Sequence, residues 1–339
     1  MRALVTGAAG FVGSHLSEAL LARGDDVVGV DCFTGYYGRD DKEANLAVAR
    51  ANKRFEFVEA DVGCTDVTVL LDGVDVVFHE AAQPGVRLSW AGGFDTYVAH
   101  NVIATQRLLE AVRDARPHAR VVYASSSSVY GNQPRYPTSE DDLPHPYSPY
   151  GVTKLAAEHL CTLYAENWNL ATISLRYFTV FGPRQRPDMS IHRLCEAAVR
   201  HVPFPRYGDG GQVREFTYVD DIVRGNLAAA DADVPSASVV NLAGGGEVTL
   251  NDLIALVAEL ARTEVQIDDA DAMAGDARRN GGAIDRARAL LGWEPETSLR
   301  DGLVAQLAWH ERLLVQELAS GDGDGVAEQM GAIAHPPDS

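Results

Sequence analysis

The stretch LVTGAAGFVGSHL, from Leu4 to Leu16, decides the fold. An apolar run ends at Thr6, glycines follow at G-x-x-G-x-x-G spacing (Gly7, Gly10 and Gly13), and an amphipathic pattern begins at Phe11. Glycines here let the backbone approach a pyrophosphate, and the helix that follows offers free N–H groups with a partial positive charge. The stretch therefore predicts a strand, a phosphate-binding turn and a helix at the start of a dinucleotide-binding fold.

The rest of the chain repeats this strand–helix rhythm. Apolar runs predict strands at Ala3–Thr6, Val27–Asp31, Phe55–Glu59, Val74–His79, Arg120–Ser125, Ala171–Arg176 and Val239–Leu242. Amphipathic patterns predict helices at Phe11–Arg23, Asp95–Ala115 and Pro149–Asn167. Strands that alternate with helices of this length indicate an α/β fold, a doubly wound parallel (Rossmann) sheet covered on both faces.

The nature of the cofactor follows from the second predicted strand. Asp31 ends that strand, 18 residues after Gly13 (31 − 13), where a carboxylate accepts hydrogen bonds from both ribose hydroxyls and repels a 2′-phosphate. NAD is therefore favoured over NADP. Asp61, after the third strand, is expected at the adenine amino group. The predicted cofactor-binding residues are Gly7, Gly10, Phe11, Val12, Gly13, Asp31, Asp61, Val62, Ala81, Ala82, Tyr150, Lys154 and Phe178.

Composition excludes several classes of partner. The 339 residues carry a formal net charge of −19 and include only three lysines, which argues against nucleic acid and anionic membranes. None of the four cysteines is in a C-x-x-C pair, so we expect reduced thiols and no metal site. The start of the chain has no signal-peptide pattern, and there is no run of 18 apolar residues. We expect a cytoplasmic protein that does not bind membranes.

A candidate catalytic pair lies in SPYGVTKLAAEHL. Tyr150 and Lys154 are four residues apart and share one helix face. A phenol titrates near pH 10, about three units above neutrality. A nearby ammonium and an oxidised nicotinamide ring would favour the phenolate, which makes Tyr150 a candidate general acid and base.

These motifs together resemble a known family. The glycine turn, SSSSVYG at 125–131, the Y-x-x-x-K pair and GDGGQVREFTYVDD at 208–221 are similar to the extended short-chain dehydrogenases/reductases that act on nucleotide sugars. The resemblance covers about Arg2 to Leu318 and implies a Ser126–Tyr150–Lys154 triad, in which Ser126 hydrogen-bonds the sugar hydroxyl being oxidised. It also implies a homodimer that pairs through the helices at Asp95–Ala115 and Pro149–Asn167.

The two residues after Ser126 distinguish branches of this family. Sugar 4,6-dehydratases have an Asp-Glu pair there and UDP-glucuronate decarboxylases have a glutamate at the second position, whereas this chain has Ser127 and Ser128. Hydroxyl groups donate hydrogen bonds to a substrate but do not supply acid–base chemistry near neutral pH. The resemblance therefore implies epimerisation without elimination or decarboxylation.

The predicted substrate is an acidic UDP-sugar. RYFTVFGPRQRPDM at 176–189 resembles the UDP-glucuronate 4-epimerases, with Thr179 where UDP-galactose 4-epimerases usually have asparagine. An arginine fork matches a carboxylate, so Arg186 with Thr179, Ser127 and Ser128 is expected to hold the glucuronate carboxylate. HEAAQPGVRLSW adds Arg87 to this resemblance. Arg214 and Arg278, or Arg279 in place of the latter, match the arginines that contact the UDP diphosphate.

A few residues differ from the family pattern or are given no role in the site. Arg184 is assigned to the solvated surface, and the two departures from the family pattern, Phe181 and Glu80, are expected to leave the triad unaffected. Three alternatives stay open: an epimerase of neutral UDP-hexoses, a UDP-glucuronate decarboxylase, and an inactive dinucleotide-binding sensor.

Looser, Pro/Gly/Arg-rich sequence begins near Thr179, and helices resume at Tyr218–Ala230, Thr249–Arg262, Asp285–Leu291 and Leu299–Leu318. We expect an NAD-binding domain at 1–178 with a return segment at about 219–245. A smaller mixed α/β UDP-sugar-binding domain is expected at 179–218 and 246–319, and a disordered tail at 320–339.

Overall fold

The computed structural model describes residues 1–90, 93–244, 246–271 and 278–320, so residues 321–339 of the expected tail lie outside the described residues. The strands are β1 (Arg2–Thr6), β2 (Asp26–Asp31), β3 (Phe55–Glu59), β4 (Val76–His79), β5 (Arg120–Ser126), β6 (Thr172–Tyr177), β7 (Val180–Phe181), β8 (Phe204–Tyr207), β9 (Val213–Glu215), β10 (Thr217–Tyr218), β11 (Ser238–Leu242), β12 (Glu247–Thr249) and β13 (Ile267–Ala270). The helices are α1 (Phe11–Arg23), α2 (Arg39–Arg50), α3 (Phe94–Tyr97), α4 (Ala104–Ala115), α5 (Pro149–Trp168), α6 (Ser190–Arg200), α7 (Val219–Asp231), α8 (Leu250–Ala261), α9 (Asp285–Leu291) and α10 (Leu299–Ser320). A π-helical segment, Val98–Ile103, joins α3 to α4.

The main sheet has seven strands in the order β3-β2-β1-β4-β5-β6-β11. Every neighbouring pair is parallel. The order of the strands reverses between β1 and β4, and ligands of such sheets bind outside the carboxyl ends of the strands at this point. The doubly wound α/β prediction is confirmed, and the seven predicted strands are the strands of this sheet.

Alternation along the strands builds a core on each face of the sheet. On β5, Val121 and Tyr123 belong to the cluster that packs under α4 and α5, whereas Val122 belongs to the cluster under α1 and α7. Side chains of a strand point alternately to opposite faces, so β5 is apolar throughout because both of its faces are covered.

Two helices were not predicted. The α2 sequence RDDKEANLAVAR is mostly polar, and α6 follows a Pro/Arg-rich loop, although its face of Ile191, Leu194, Cys195 and Ala198 is buried. The predicted helix Asp95–Ala115 is present as α3, the π-helical segment and α4. Among the described residues, no helix combines the length and apolar character that a membrane crossing needs.

The later part of the chain adds short two-stranded pairings, β7 with β10, β8 with β13 and β9 with β12. The β9–β12 pair is antiparallel and the other two are parallel. This mixture of short strands and helices matches the α/β character expected of the second part. The division into two domains stays a prediction.

A buried carboxylate anchors α5 to the sheet. The two Glu158 oxygens accept hydrogen bonds from Arg176 Nη2 at 2.6 Å and Arg176 Nε at 3.0 Å, and the Ser125 hydroxyl donates at 2.7 Å. Both charged side chains are 4% exposed. Arg176 also donates to the Tyr130 hydroxyl at 2.7 Å. These bonds tie α5 to β5 and β6, and so fix the helix that carries Tyr150 and Lys154.

Replacing this carboxylate should destabilise the protein strongly. Glu158→Ala leaves the buried Arg176 charge without its partner, and the free energy of unfolding is expected to fall by about 3–5 kcal/mol. Urea unfolding of the two proteins measures the difference. The matched control is Glu59→Ala, which removes a similar bidentate partner of Arg39 at the exposed surface and should leave unfolding nearly unchanged. Equal effects of the two substitutions would contradict the anchoring role of Glu158.

Candidate active site

A cavity of about 1080 Å³ lies at the carboxyl edge of the sheet. It is larger than the usual range of about 300–1,000 Å³ for a pocket that holds one small molecule, as expected of a site for two ligands. The predicted site residues that line it are Gly7, Gly10, Phe11, Val12, Gly13, Asp31, Asp61, Val62, Ala81, Ala82, Arg87, Ser126, Ser127, Ser128, Tyr150, Lys154, Phe178, Thr179, Arg186 and Arg214.

The glycine turn at one end of the cavity fits a pyrophosphate. A Cβ atom on Gly13 would lie 2.1 Å from the Gly7 carbonyl oxygen, so the turn and the start of α1 pack more closely than any side chain allows. Gly7 has a φ of +71°, which favours glycine. Gly10 caps α1 without a side-chain hydrogen bond, and the N–H groups of the first helical turn have no partner within the helix. This end of the cavity therefore suits an anion held by backbone N–H groups.

Asp31 is placed for a ribose at the end of β2. Its carboxylate accepts hydrogen bonds from the backbone N–H of Ala9 at 3.2 Å and of Phe33 at 2.8 Å, which fix its orientation at the wall of the cavity. Lys42 Nζ lies 3.8 Å from Asp31 Oδ1 and partly balances its charge. The geometry agrees with the role predicted for Asp31, the recognition of two adjacent hydroxyls.

Asp61 lies beside Cys32 and His100, and the three have potential ligand atoms within 4.8 Å of one another. The Asp61 carboxylate accepts the Gly63 N–H at 2.7 Å. Cys, Asp and His are possible metal ligands, but all three line the cavity at the part expected to hold adenine. A metal ion there would compete with the nucleotide that is expected at Asp61.

The catalytic pair predicted from the sequence meets Ser126 at the centre of the cavity. Ser126 acts on the Tyr150 phenol as a hydrogen-bond partner that lowers its pKa. α5 reaches this position because Gly151 lies against the Ser128 carbonyl, where a Cβ atom would approach the oxygen to 2.5 Å. The Ser148 side chain caps the helix by accepting the Gly151 N–H at 3.1 Å. Ser126, Tyr150 and Lys154 thus line the same cavity.

Burial raises the pKa of the Tyr150 phenol, and the Arg186 guanidinium and the Ser126 hydrogen bond lower it only in part. Lys154 Nζ lies over the Tyr123 ring, 4.6 Å from its centroid, and burial lowers the pKa of Lys154 to about 8. The support of the phenolate by Lys154 stays a prediction.

Ser127, Ser128 and Arg186 line the same cavity, and two of them have partners that the sequence did not predict. The Ser127 hydroxyl accepts a hydrogen bond from Asn280 Nδ2 at 3.0 Å. Arg186 donates to both oxygens of Asp188, at 2.9 and 3.0 Å, and the Tyr36 hydroxyl donates to the same carboxylate at 3.1 Å. Burial by itself lowers the pKa of Arg186. The neighbouring Asp188 carboxylate raises it by more, so the pKa of Arg186 lies above its usual value.

The structure corrects one predicted site residue. Arg279, rather than Arg278, lines the cavity, and its guanidinium pairs with Glu247 and lies 5.0 Å from the centroid of the Tyr136 ring. The chain segment pairs with Val213 of β9, so that Arg279 comes next to Arg214. Arg184 pairs with Glu18 on α1, and its side chain is 19% exposed, so it is more buried than the solvated charge that we expected.

Residues 3–243 match the model of the NAD-dependent epimerase/dehydratase family. The chain belongs to this family. The resemblance proposed from the sequence motifs is thereby confirmed.

Several relatives cover nearly the whole chain. An uncharacterised UDP-glucose epimerase of Bacillus subtilis is 42% identical over 310 residues, 91% of this chain and 98% of the relative. The UDP-glucuronate 4-epimerase of Thermodesulfobacterium geofontis is 35% identical over 314 residues, 90% of this chain and 95% of the relative. The crystal structure of UDP-glucuronic acid 4-epimerase from Bacillus cereus with UDP-glucuronic acid and NAD is 42% identical, with a TM-score of 0.89, and the match covers 92% of this chain and 100% of that one.

Other cavity residues were not predicted. Tyr207 lies under the Arg87 guanidinium, 4.3 Å from the ring centroid, and a hydrogen bond with Arg193 lowers the pKa of the Tyr207 phenol. Asn280 follows GDARR, the stretch that already departs from the family pattern, and its buried Oδ1 has no hydrogen-bond partner among the described residues. This acceptor, on the amide whose Nδ2 bonds Ser127, is a signal that only the folded structure shows.

The glycine turn can be tested directly. Gly13→Ala forces the loop apart because its Cβ would lie 2.1 Å from the Gly7 carbonyl oxygen, and NAD affinity is expected to fall at least about tenfold. Titration calorimetry of cofactor-free protein with NAD measures the affinity. The control is Gly35→Ala in the neighbouring β2–α2 loop, where a Cβ atom meets nothing within 4 Å. If Gly13→Ala binds NAD with wild-type affinity, the glycine turn is not part of the NAD-binding site.

Proposed function

We propose that the protein is a UDP-glucuronate 4-epimerase, which interconverts UDP-glucuronate and UDP-galacturonate with NAD as a tightly held cofactor. The observation that carries this proposal is the place of Arg186, which lines the same cavity as Tyr150 and whose guanidinium lowers the pKa of that phenol. A group suited to a carboxylate therefore lies beside the group suited to the 4-hydroxyl. NAD, when bound, accepts a hydride from the sugar and returns it.

The chain's own residues have the following proposed roles. Tyr150, as phenolate, takes the proton of the sugar 4-hydroxyl, and the Ser126 hydroxyl holds that oxygen through a hydrogen bond. The sugar becomes a 4-keto intermediate, turns about the diphosphate linkage and presents its other face. Tyr150 then returns the proton, and C4 is inverted. Arg87, Arg214 and Arg279 are the cations proposed for the diphosphate side, with Arg279 replacing Arg278.

The intermediate is a β-keto acid, which loses CO₂ when the bond from C5 to the carboxylate stands perpendicular to the ketone plane. Arg186, Thr179, Ser127 and Ser128 are proposed to hold the carboxylate away from that alignment. Positions 127 and 128 carry serines, so the glutamate implied for decarboxylases is absent at this point. Decarboxylation is therefore disfavoured.

A second candidate is a 4-epimerase of neutral UDP-hexoses. The bidentate Arg186–Asp188 pair favours it, because Asp188 already neutralises the arginine that an uncharged sugar would leave without a partner. A structure of MoeE5 that is 41% identical, with a TM-score of 0.84, was solved with UDP-glucose and NAD. The two candidates share the triad and differ in the use of Arg186.

We also propose that the chain forms a homodimer and works in the cytoplasm. Ile103, Val152 and Leu163, on the helices expected to pair, are 44%, 50% and 49% exposed. Apolar side chains exposed on neighbouring helices favour a protein partner. All four cysteines are free thiols, which fits a reducing compartment.

Proton NMR of the protein with UDP-glucuronate and NAD tests the activity. We expect UDP-galacturonate to grow to a plateau in the wild type, and the rate to fall at least about 100-fold in Tyr150→Phe, because the proton acceptor is lost. Tyr164→Phe is the control on the same helix, since Tyr164 bonds Gln106 and Glu110 instead. Signals of a pentose product would favour the decarboxylase. A Tyr150→Phe rate near that of the wild type would show that Tyr150 is not the general base.

The role of Arg186 separates the two candidates. Arg186→Ala should lower kcat/KM for UDP-glucuronate about 30-fold more than for UDP-glucose, since only the acidic sugar loses an ion-pair partner. Rates with both sugars measure the ratio. Arg184→Ala is the control, because Arg184 pairs with Glu18 outside the cavity. If kcat/KM falls equally for both sugars, Arg186 acts only on the Tyr150 phenol and does not bind the sugar carboxylate. That result would favour the epimerase of neutral UDP-hexoses.

A further inference from the structure

Ser127 follows β5 directly and lines the cavity. It begins a short 3₁₀ turn, Ser127–Val129, which the Ser126 side chain caps by accepting the Ser128 N–H at 3.1 Å. The Tyr130 N–H donates to the Ser127 carbonyl oxygen at 3.0 Å. Because these bonds fix the backbone, what Ser127 offers a ligand depends on where its hydroxyl proton points.

Asn280 contacts Ser127 from the later part of the chain and lines the same cavity. Its Nδ2 donates to the Ser127 hydroxyl oxygen at 3.0 Å. The backbone of Asn280 is paired with β9 on both of its polar groups. Its N–H donates to the Val213 carbonyl oxygen and its own carbonyl oxygen accepts the Glu215 N–H, each at 3.1 Å. A paired segment, rather than a free loop, thus presents the amide to Ser127.

The direction of this hydrogen bond decides what Ser127 can do next. A serine hydroxyl has one proton and two lone pairs, whereas the nitrogen of an amide only donates. Because Asn280 Nδ2 is the donor, the Ser127 oxygen uses a lone pair in this bond and keeps its proton. Within the described part of the chain, no other group is hydrogen-bonded to the Ser127 hydroxyl. The proton is therefore available to an acceptor in the cavity.

The other half of the same amide is left without a partner. Asn280 Oδ1 is buried and accepts no hydrogen bond from the described residues. An unpaired buried acceptor costs free energy, and an apolar side chain of similar shape would avoid that cost. Stability alone therefore gives no reason for an amide at this position, whereas the bond from its nitrogen to Ser127 does.

We propose that Asn280 is a positioning residue that turns the Ser127 proton toward the sugar and so selects a substrate with a hydrogen-bond acceptor at C6. This inference deepens the proposed function and rests on it for the identity of the sugar. A carboxylate only accepts hydrogen bonds, whereas the 6-hydroxyl of UDP-glucose both donates and accepts them. Binding of the acidic sugar therefore depends on the direction of the Ser127 proton, and binding of the neutral sugar does not.

The environment of Arg186 explains why such a donor is needed. Arg186 Nε and Nη2 already donate to the two Asp188 oxygens, so part of the guanidinium is not available to a second carboxylate. The two oxygens of a carboxylate offer about four acceptor sites. A Ser127 hydroxyl that donates fills one of them without adding charge. A Ser127 hydroxyl that used its proton elsewhere would turn a lone pair toward the carboxylate and repel it.

The direct test is the affinity of the NAD-loaded protein for UDP-glucuronate and for UDP-glucose, measured by titration calorimetry. Asn280→Asp keeps the shape of the side chain but replaces the donor with an acceptor, which draws the Ser127 proton away from the sugar. We expect the affinity for UDP-glucuronate to fall at least about tenfold more than that for UDP-glucose. If Asn280→Asp keeps the wild-type preference, the Ser127 proton already points to residue 280 and the proposal is overturned.

Asn132→Asp is the matched control for the added charge. Asn132 is exposed, and its Oδ1 accepts the N–H of Arg278, two residues before Asn280, at 3.1 Å. An aspartate keeps that bond and adds the same negative charge near the same segment. We expect the preference between the two sugars to stay within about twofold of wild type. A shift as large as that of Asn280→Asp would reduce the effect to charge and contradict the proposal.

A double-mutant cycle shows whether Asn280 acts through Ser127. Asn280→Leu removes the donor without adding charge and should lower the affinity for UDP-glucuronate about tenfold, with UDP-glucose within about twofold. In a Ser127→Ala background the same substitution should have little further effect, whereas in a Ser128→Ala background its effect should persist. Additive losses with Ser127→Ala would overturn the proposal.

Urea unfolding separates this role from a structural one. Asn280→Leu removes the unpaired buried oxygen, so it should be at least as stable as wild type while it loses affinity for the acidic sugar. If the variants at 280 do not fold, Ser127→Ala decides, because equal losses of affinity for both sugars would overturn the proposal.

These affinities need no turnover, so they stand apart from the proposed reaction. Binding of UDP-glucuronate without formation of UDP-galacturonate would reject the epimerase, while the cycle at Ser127 still decides the role of Asn280. Wild-type protein that binds UDP-glucose but not UDP-glucuronate would overturn the selection of an acceptor.

Discussion

The buried ion pair between Glu158 and Arg176 is the interaction on which the site depends. It joins the middle of α5 to β6, and the Ser125 hydroxyl adds β5 to the same carboxylate. Because both charges are nearly inaccessible to water, neither can leave the pair without a large cost in free energy. Tyr150 and Lys154 on α5, Ser126 at the end of β5 and Thr179 after β6 are therefore held in one fixed arrangement.

Local charge at the cavity opposes the charge of the whole molecule. The chain has a net charge of −19, yet Arg87, Arg186, Arg214 and Arg279 line one cavity. An anionic nucleotide sugar is attracted by this local cluster despite the acidic surface. A carboxylate moderates it, since Asp188 occupies the Arg186 fork. Carboxylates thus hold two of these cations in place, Asp188 at Arg186 and Glu247 at Arg279.

Much of the fold was predictable because the signals are local. The apolar runs and the glycine turn report on neighbouring residues, and they predicted all seven strands of the main sheet. α2 was missed because its exposed face is polar and it contributes few residues to the core, of which Leu46 and Ala49 are two. The site was predictable where a motif spans a few residues, as with Tyr150 and Lys154. It was not predictable where tertiary pairing decides, as with Arg279 against β9, Asp188 against Arg186, and Asn280 against Ser127.

The measurement that tests the central claim most directly is the fate of deuterium placed at C4 of the sugar ring of UDP-glucuronate. If the chain inverts C4 by removing a hydride and returning it within one site, NMR and mass spectrometry should show UDP-galacturonate that keeps its deuterium and its carboxylate. A product that exchanges the deuterium with solvent, or that has lost CO₂, would contradict the account, because the first excludes return of the same hydride and the second excludes the carboxylate clamp around Arg186.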